Sequence, residues 1–288
     1  MQTTGNISKY ELRKSKILPN GKGTFADVHI GIFRGSPVAM KVFHLKSMPP
    51  HINNEWKPYL EASHPNLLQY YGICDAPGKF SMIIELMPYS LQEFYTTYEL
   101  SSENIYKFAE QIAQGLSYLH SQKYGHKHLK SNNIFVNSDL IIKITDFGLS
   151  KLKLESSSNG AGGEATVRWR APETFTREYS RVKDTLEAQE SADVYSLGMV
   201  FWEMKKRKKP FATYNEPGVV QLLSVGTREE IDFNWPKHFK DLLLKTWDLN
   251  PDARPSADEI ITILNHKDFD LENARNESVK GFIAGIIS

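Results

Sequence analysis

Cysteine is almost missing from this chain: Cys74 stands alone among 288 residues. An internal disulfide is therefore excluded, and a reducing, cytoplasmic setting is expected over a secreted one. Net charge is almost missing too, at +1 from 35 basic and 34 acidic residues. That balance makes no case for a nucleic-acid partner or a membrane surface. No apolar run approaches the roughly 18 residues of a membrane-crossing helix, so no transmembrane segment is expected. Residues 1–9 lack the apolar centre of a signal peptide. There is no internal repeat. What is present is a 40% hydrophobic fraction, enough for a sizeable core in one enzyme-sized unit.

The pattern of that hydrophobicity changes along the chain. Val28-His29-Ile30-Gly31-Ile32, Val38-Ala39-Met40-Lys41-Val42 and Ser81-Met82-Ile83-Ile84-Glu85-Leu86 read as strands, with a turn at Arg34-Gly35-Ser36-Pro37. After Pro88 the period lengthens. Ile105, Phe108, Ile112, Leu116 and Leu119 recur at helical spacing, so residues 104–122 are expected to be helical, as are 194–204 and 239–247. A β-rich start and a helical remainder predict an α+β fold with two lobes. Residues 153–164 are rich in Ser and Gly and read as a flexible loop, and the polar stretch 177–190 as an insertion or extended loop. The apolar stretch 279–287 reads as a packed end or a partner contact.

Several residues point to chemistry. Gly21 and Gly23 sit between strand-like segments, where the missing side chain lets backbone approach a phosphate. Lys41 follows Val28 by thirteen residues and ends an apolar run. An ammonium there needs an anion, either a phosphate or a carboxylate. Glu55, fourteen residues on, is the natural partner, and Glu61 competes. The densest cluster is His126-Lys127-His128-Leu129-Lys130-Ser131-Asn132-Asn133, with Asp146-Phe147-Gly148 following. An amide and a carboxylate so placed can chelate a hard cation through oxygen. Ala171-Pro172-Glu173, Asp193 and Arg254 come later, in that order.

This order over residues 10–265 resembles the eukaryotic-type protein kinase domain. The resemblance implies a small β-rich lobe over residues 10–87, a larger helical lobe over 88–265 and a tail over 266–288. It implies that Gly21 and Gly23 cover the phosphates of ATP, and that Lys41 contacts them and pairs with Glu55. Val28, Ala39 and Phe135 would sandwich the adenine. Glu85 and Met87 would bond it from the hinge, with Ile84 behind as gatekeeper. Asn133 and Asp146 would hold Mg²⁺ or Mn²⁺, and Glu173 would form a buried ion pair with Arg254. Lys130 and Thr166 resemble serine/threonine kinases, whereas Val167-Arg168-Trp169 and Phe201-Trp202-Glu203 resemble tyrosine kinases. That mixture is similar to the tyrosine-kinase-like group, with a protein as substrate or partner.

One position departs from the family. Where the pattern has an aspartate as catalytic base, this chain has His128, in a register fixed by Leu129, Lys130 and Asn133. Imidazole titrates near pH ~6.5 and can accept a proton, but it brings no negative charge to steer a hydroxyl hydrogen. A lost general base typically costs about 10² to 10⁴ in rate. Lys127 also replaces the arginine that grips an activation-segment phosphate, and a lysine cannot form the same two-pronged contact. The expectation is a nucleotide-binding pseudokinase, with a weakly active serine/threonine kinase using His128 as surrogate base as the alternative.

Overall fold

The computed structural model describes residue 7 and residues 12–22, 26–44, 62–76, 79–147, 166–176, 178–182 and 185–265. Five strands open the fold: β1 (Leu12–Lys22), β2 (Ala26–Phe33), β3 (Ser36–Phe43), β4 (Tyr70–Ala76) and β5 (Lys79–Glu85). They form one antiparallel sheet in the order β1-β2-β3-β5-β4. The β2–β3 turn is tighter than the sequence suggested. Only Arg34 and Gly35 turn, both at positive φ (50° and 83°), the conformation whose twist matches a two-residue hairpin. Ser36 and Pro37 already pair with Phe33 and Ile32.

Alternation along β3 gives the sheet two apolar faces. Val38 and Met40 pack with Phe33, Cys74 and Ile83 on one side. Ala39 and Phe43 pack with Phe80, Met82 and Ile84 on the other, in the cluster that continues into the helical lobe. Period two therefore sends Lys41, between Ala39 and Phe43, toward that second lobe. Residues 45–61, between β3 and β4, lie outside the described residues, as do the loop over 153–164 and the tail from 266.

A short strand β6 (Tyr89–Ser90) leads into α1 (Leu91–Thr97), whose N-terminus is a capping box between Ser90 and Glu93. Then comes α2 (Ser102–Ser121), capped by Ser101 and burying all five apolar residues of the helical pattern. The hairpin β7 (Ile134–Val136) and β8 (Ile142–Ile144) follows, with β7 also paired to β6. Further on are α3 (Tyr179–Val182), α4 (Leu186–Lys206), α5 (Glu216–Ser224), α6 (Lys237–Thr246) and α7 (Ala257–Leu264).

The expectation of a loop over 177–190 is corrected here. Residues 179–182 make one helical turn, and α4 begins at Leu186 with Thr185 as N-cap. The polar composition misled because the first turns of α4 carry Glu187 and Glu190 outward, while the helix is buried nearly all round from Asp193 to Met204. Gly198 permits the close approach of α6, since a Cβ there would overlap the Thr246 hydroxyl.

The two lobes are stitched behind the cleft. Leu68 N–H donates to the Ile144 carbonyl at 2.9 Å, and Ile144 N–H to that of Asn66 at 2.8 Å. The Asn66 amide donates to the Ile142 carbonyl at 3.0 Å. These bonds fix β8, and with it the start of the Asp146 segment, against the first lobe.

Candidate functional site

Lys41 and Asp146 meet in the cleft, Nζ to Oδ1 at 2.5 Å, across 105 residues of sequence. Both are largely shielded, with side chains 16% and 11% exposed, so each neutralises a charge that burial would penalise. Lys41 thus has a carboxylate partner, but one other than the two weighed from sequence; Glu55 and Glu61 lie outside the described residues. Asp146 sits at φ 66°, a left-handed conformation that a non-glycine residue adopts only when its surroundings hold it there. Thr145 N–H donates to the Asn133 carbonyl at 2.9 Å, which ties the Asp146 segment to the loop over residues 126–133, the catalytic loop that the resemblance implies.

The loop itself is held from α4. The Asp193 carboxylate, 1% exposed, accepts the backbone N–H of His126 at 2.6 Å and that of Lys127 at 2.7 Å. His120 Nε2 lies 3.2 Å from the same carboxylate. These bonds hold Lys127 at φ 68°, with its side chain exposed to solvent. His128 N–H donates to His126 Nδ1 at 3.2 Å. The His128 carbonyl accepts the Asn133 amide at 2.7 Å. That bond orients the Asn133 side chain, so its Oδ1 is the oxygen left for a cation. A hard-oxygen pair, Asn133 Oδ1 and the Asp146 carboxylate, fits Mg²⁺ bound together with phosphate. No group of three or more His, Cys, Asp or Glu side chains able to hold a metal occurs among the described residues. His128 and Lys130 are both half-buried in this loop.

The remaining expected residues belong to the main apolar cluster or pack against it, apart from Glu85, the glycines and the Glu173–Arg254 pair. Ala39, Ile84 and Met87 are buried in the main apolar cluster, and Val28 and Phe135 pack against it at its edge. Glu85 spends its carboxylate on Lys143 at 3.0 Å and on Gln69 N–H at 3.2 Å, and its own N–H on the Gln69 carbonyl at 2.9 Å, which leaves its backbone carbonyl for a ligand. Gly21 precedes Lys22, the last residue of β1, which pairs with Asp27 next to the Val28 that pairs with Lys41, whereas Gly23 and Gly148 lie outside the described residues. Glu173 and Arg254 form the expected ion pair, with two bonds at 2.7 and 2.9 Å.

Sequence reasoning missed two acidic residues on α4. Asp193 was noted, but not its clamp on the loop. Glu203 was noted only for family flavour, yet it is a fully buried carboxylate beside the catalytic loop. It accepts Tyr95 OH at 2.6 Å, Ser131 Oγ at 2.7 Å and Trp169 Nε1 at 2.8 Å. It thereby joins α1, the catalytic loop and the segment ahead of Glu173. Burial pushes its pKa up to about 7, and the three donors pull it back down only in part. The available signal was an acidic residue in an otherwise apolar helical run, which has to be paired.

The family described as protein tyrosine and serine/threonine kinase matches residues 15–264. Among curated relatives, the dual specificity protein kinase shkA of Dictyostelium discoideum is 31% identical over 274 residues, covering 90% of this chain and 50% of its own. The serine/threonine/tyrosine-protein kinase HT1 of Arabidopsis thaliana is 28% identical, covering 85% of this chain and 64% of its own. The tyrosine-protein kinase csk-1 of Caenorhabditis elegans is 29% identical, with 84% and 44% covered. The chain therefore spans about half the length of these relatives.

Proposed function

The chain belongs to the protein tyrosine and serine/threonine kinase family, and from that premise we propose that it is an ATP-binding pseudokinase domain. It acts mainly through nucleotide-dependent conformation and protein contacts. One observation carries this reading: His128 stands at the catalytic-base position of a loop whose neighbours Lys41, Asn133 and Asp146 keep the nucleotide-binding residue types. We assign the small lobe to residues 10–87, the large lobe to 88–265 and a tail to 266–288. A cytoplasmic setting follows from the single cysteine.

In this reading Gly21 and Gly23 lie over the phosphates, and Val28, Ala39 and Phe135 enclose the adenine. Ile84 limits the depth of the pocket, and Glu85 and Met87 bond the base through their backbones. Lys41 turns from Asp146 to the α- and β-phosphates and to Glu55, which frees Asp146 to join Asn133 around Mg²⁺ or Mn²⁺. The bound ion would neutralise phosphate charge. Lys130 adds a second cation on the phosphate side. At His128 no fixed negative charge orients an incoming hydroxyl, so transfer is absent or very slow.

The test pairs two measurements on wild type and His128→Asp. Nucleotide binding is followed by thermal shift with ATP and Mg²⁺, and transfer is followed with radiolabelled ATP and a serine peptide. Binding without transfer in wild type, with transfer gained in His128→Asp, is the expected result. Wild-type transfer at ordinary kinase rates, roughly 1–100 per second, would overturn the reading. A second reading, a weakly active kinase with His128 as surrogate base, is favoured by the relatives' names, which describe serine/threonine, tyrosine and dual-specificity kinases. It requires a wild-type activity that rises through the imidazole range and disappears in His128→Ala.

A further inference from the structure

Five consecutive cations, Lys205-Lys206-Arg207-Lys208-Lys209, close α4 in a chain whose net charge is only +1. A run of this density repels itself unless something neutralises it. Inside the fold, little does. Lys206 lies 3.7 Å from Asp232 and over the Trp235 ring. Lys205 donates to the Ser102 hydroxyl at 3.3 Å. Arg207 caps the helix at φ 52° and gives its Nε–H to the Tyr95 carbonyl at 2.8 Å, a neutral acceptor. Among the described residues no carboxylate forms an ion pair with Arg207, Lys208 or Lys209, and the first two are exposed.

The position of the run matters as much as its charge. It starts two residues after Glu203, the carboxylate bonded to Ser131 of the catalytic loop and Trp169. On its far side the Pro210 and Phe211 carbonyls accept Arg168 NH1, from the segment that precedes Glu173. The run therefore occupies the corner between α1, the catalytic loop and residues 166–169. The acidic residue native to this corner, Glu203, is buried and fully engaged by three donors, so it offers a passing chain no negative charge.

We propose that this corner is a docking site for an acidic peptide segment of a protein partner, with Arg207 and Lys208 making the first contacts. The length of the site favours a short run of carboxylates over a long polyanion. Asp232, 3.7 Å from Lys206, and Glu229, which accepts the Phe211 N–H, flank it on one side and would repel a nucleic-acid backbone that continued past the corner. The proposal names the partner chemistry for the protein-contact reading above and rests on it, but it requires neither nucleotide nor phosphoryl transfer.

The experiment is a fluorescence-anisotropy titration of the whole chain, without nucleotide, against a labelled peptide of six consecutive glutamates. A six-glutamine peptide and a single-stranded RNA of matched charge serve as competitors. Lys208→Glu is expected to weaken binding by about three- to tenfold. Lys237→Glu changes net charge equally at an exposed site on α6 and should leave affinity within about twofold. Raising salt from about 50 to 300 mM should weaken the wild-type complex, because rim charges are screened over roughly a Debye length. Thermal melts of both variants establish that they fold. Equal weakening by both variants, equal binding of the glutamine peptide, or RNA binding as tight as the acidic peptide would each overturn the proposal. A missing ATP shift would instead count against the nucleotide reading and leave this result standing.

Discussion

The frame of the catalytic loop and its reactive position stand in contrast. The frame is complete: Asp193 accepts two backbone N–H groups, the Asn133 amide donates to the carbonyl of His128, and the Ser131 hydroxyl donates to Glu203. The reactive position holds an imidazole where the family has a carboxylate. The difference shows that loop geometry and loop chemistry are specified separately. Asp193 grips peptide N–H groups, which every non-proline residue offers, so the side chains at 127 and 128 can change without moving the backbone. In the reading proposed above, this chain has lost a catalytic group and kept the shape of its loop.

The sharpest way to break the contrast is to attack the frame. Asp193→Ala strands two buried N–H groups and should destabilise the fold by about 3–5 kcal/mol, read from urea melts. A loss under about 1 kcal/mol would mean that the clamp is not what holds the loop. Next in size is the nucleotide side. At a ligand concentration 100 times the dissociation constant, ATP with Mg²⁺ should stabilise wild type by ~2.7 kcal/mol. Lys41→Met should remove most of that shift, and an unchanged shift would show that Lys41 touches no phosphate.

The third test uses pH. Glu203 titrates at about 7 in the fold against an ordinary value of 4.5, so the folded state holds its proton more tightly than the unfolded chain does. This group's contribution to stability is complete below about pH 4.5 and is lost as pH rises through about 7. Wild type should therefore lose on the order of 2 kcal/mol more than Glu203→Gln between pH 5 and pH 8, measured by parallel urea melts. Equal losses would mean that the network keeps Glu203 ionised throughout. The smallest effect is expected at the reactive position itself. His128→Asp should change stability by under about 1 kcal/mol, since the bonds to His126 and Asn133 are made by the backbone of residue 128. A large change would tie chemistry and frame together after all.

Much of the fold was legible because its signals are local. Period two along β3 and the three-and-four spacing of α2 are properties of adjacent residues, and both elements lie where those patterns put them. The start of α4 was not legible. Its first turns are solvated, and the cap at Thr185 is a weak signal inside a polar stretch.

For the site, sequence alone determined which residue types stand at which positions, His128 among them, because motif spacing needs no coordinates. Only the tertiary structure decided the pairings. Lys41 meets Asp146 across 105 residues, and Tyr95 meets Glu203 across 108. It also decided that Glu203 is buried enough to approach neutrality at pH 7. The reason is physical: spacing is written in the chain, but a charge's partner and its distance from water are set by what packs around it.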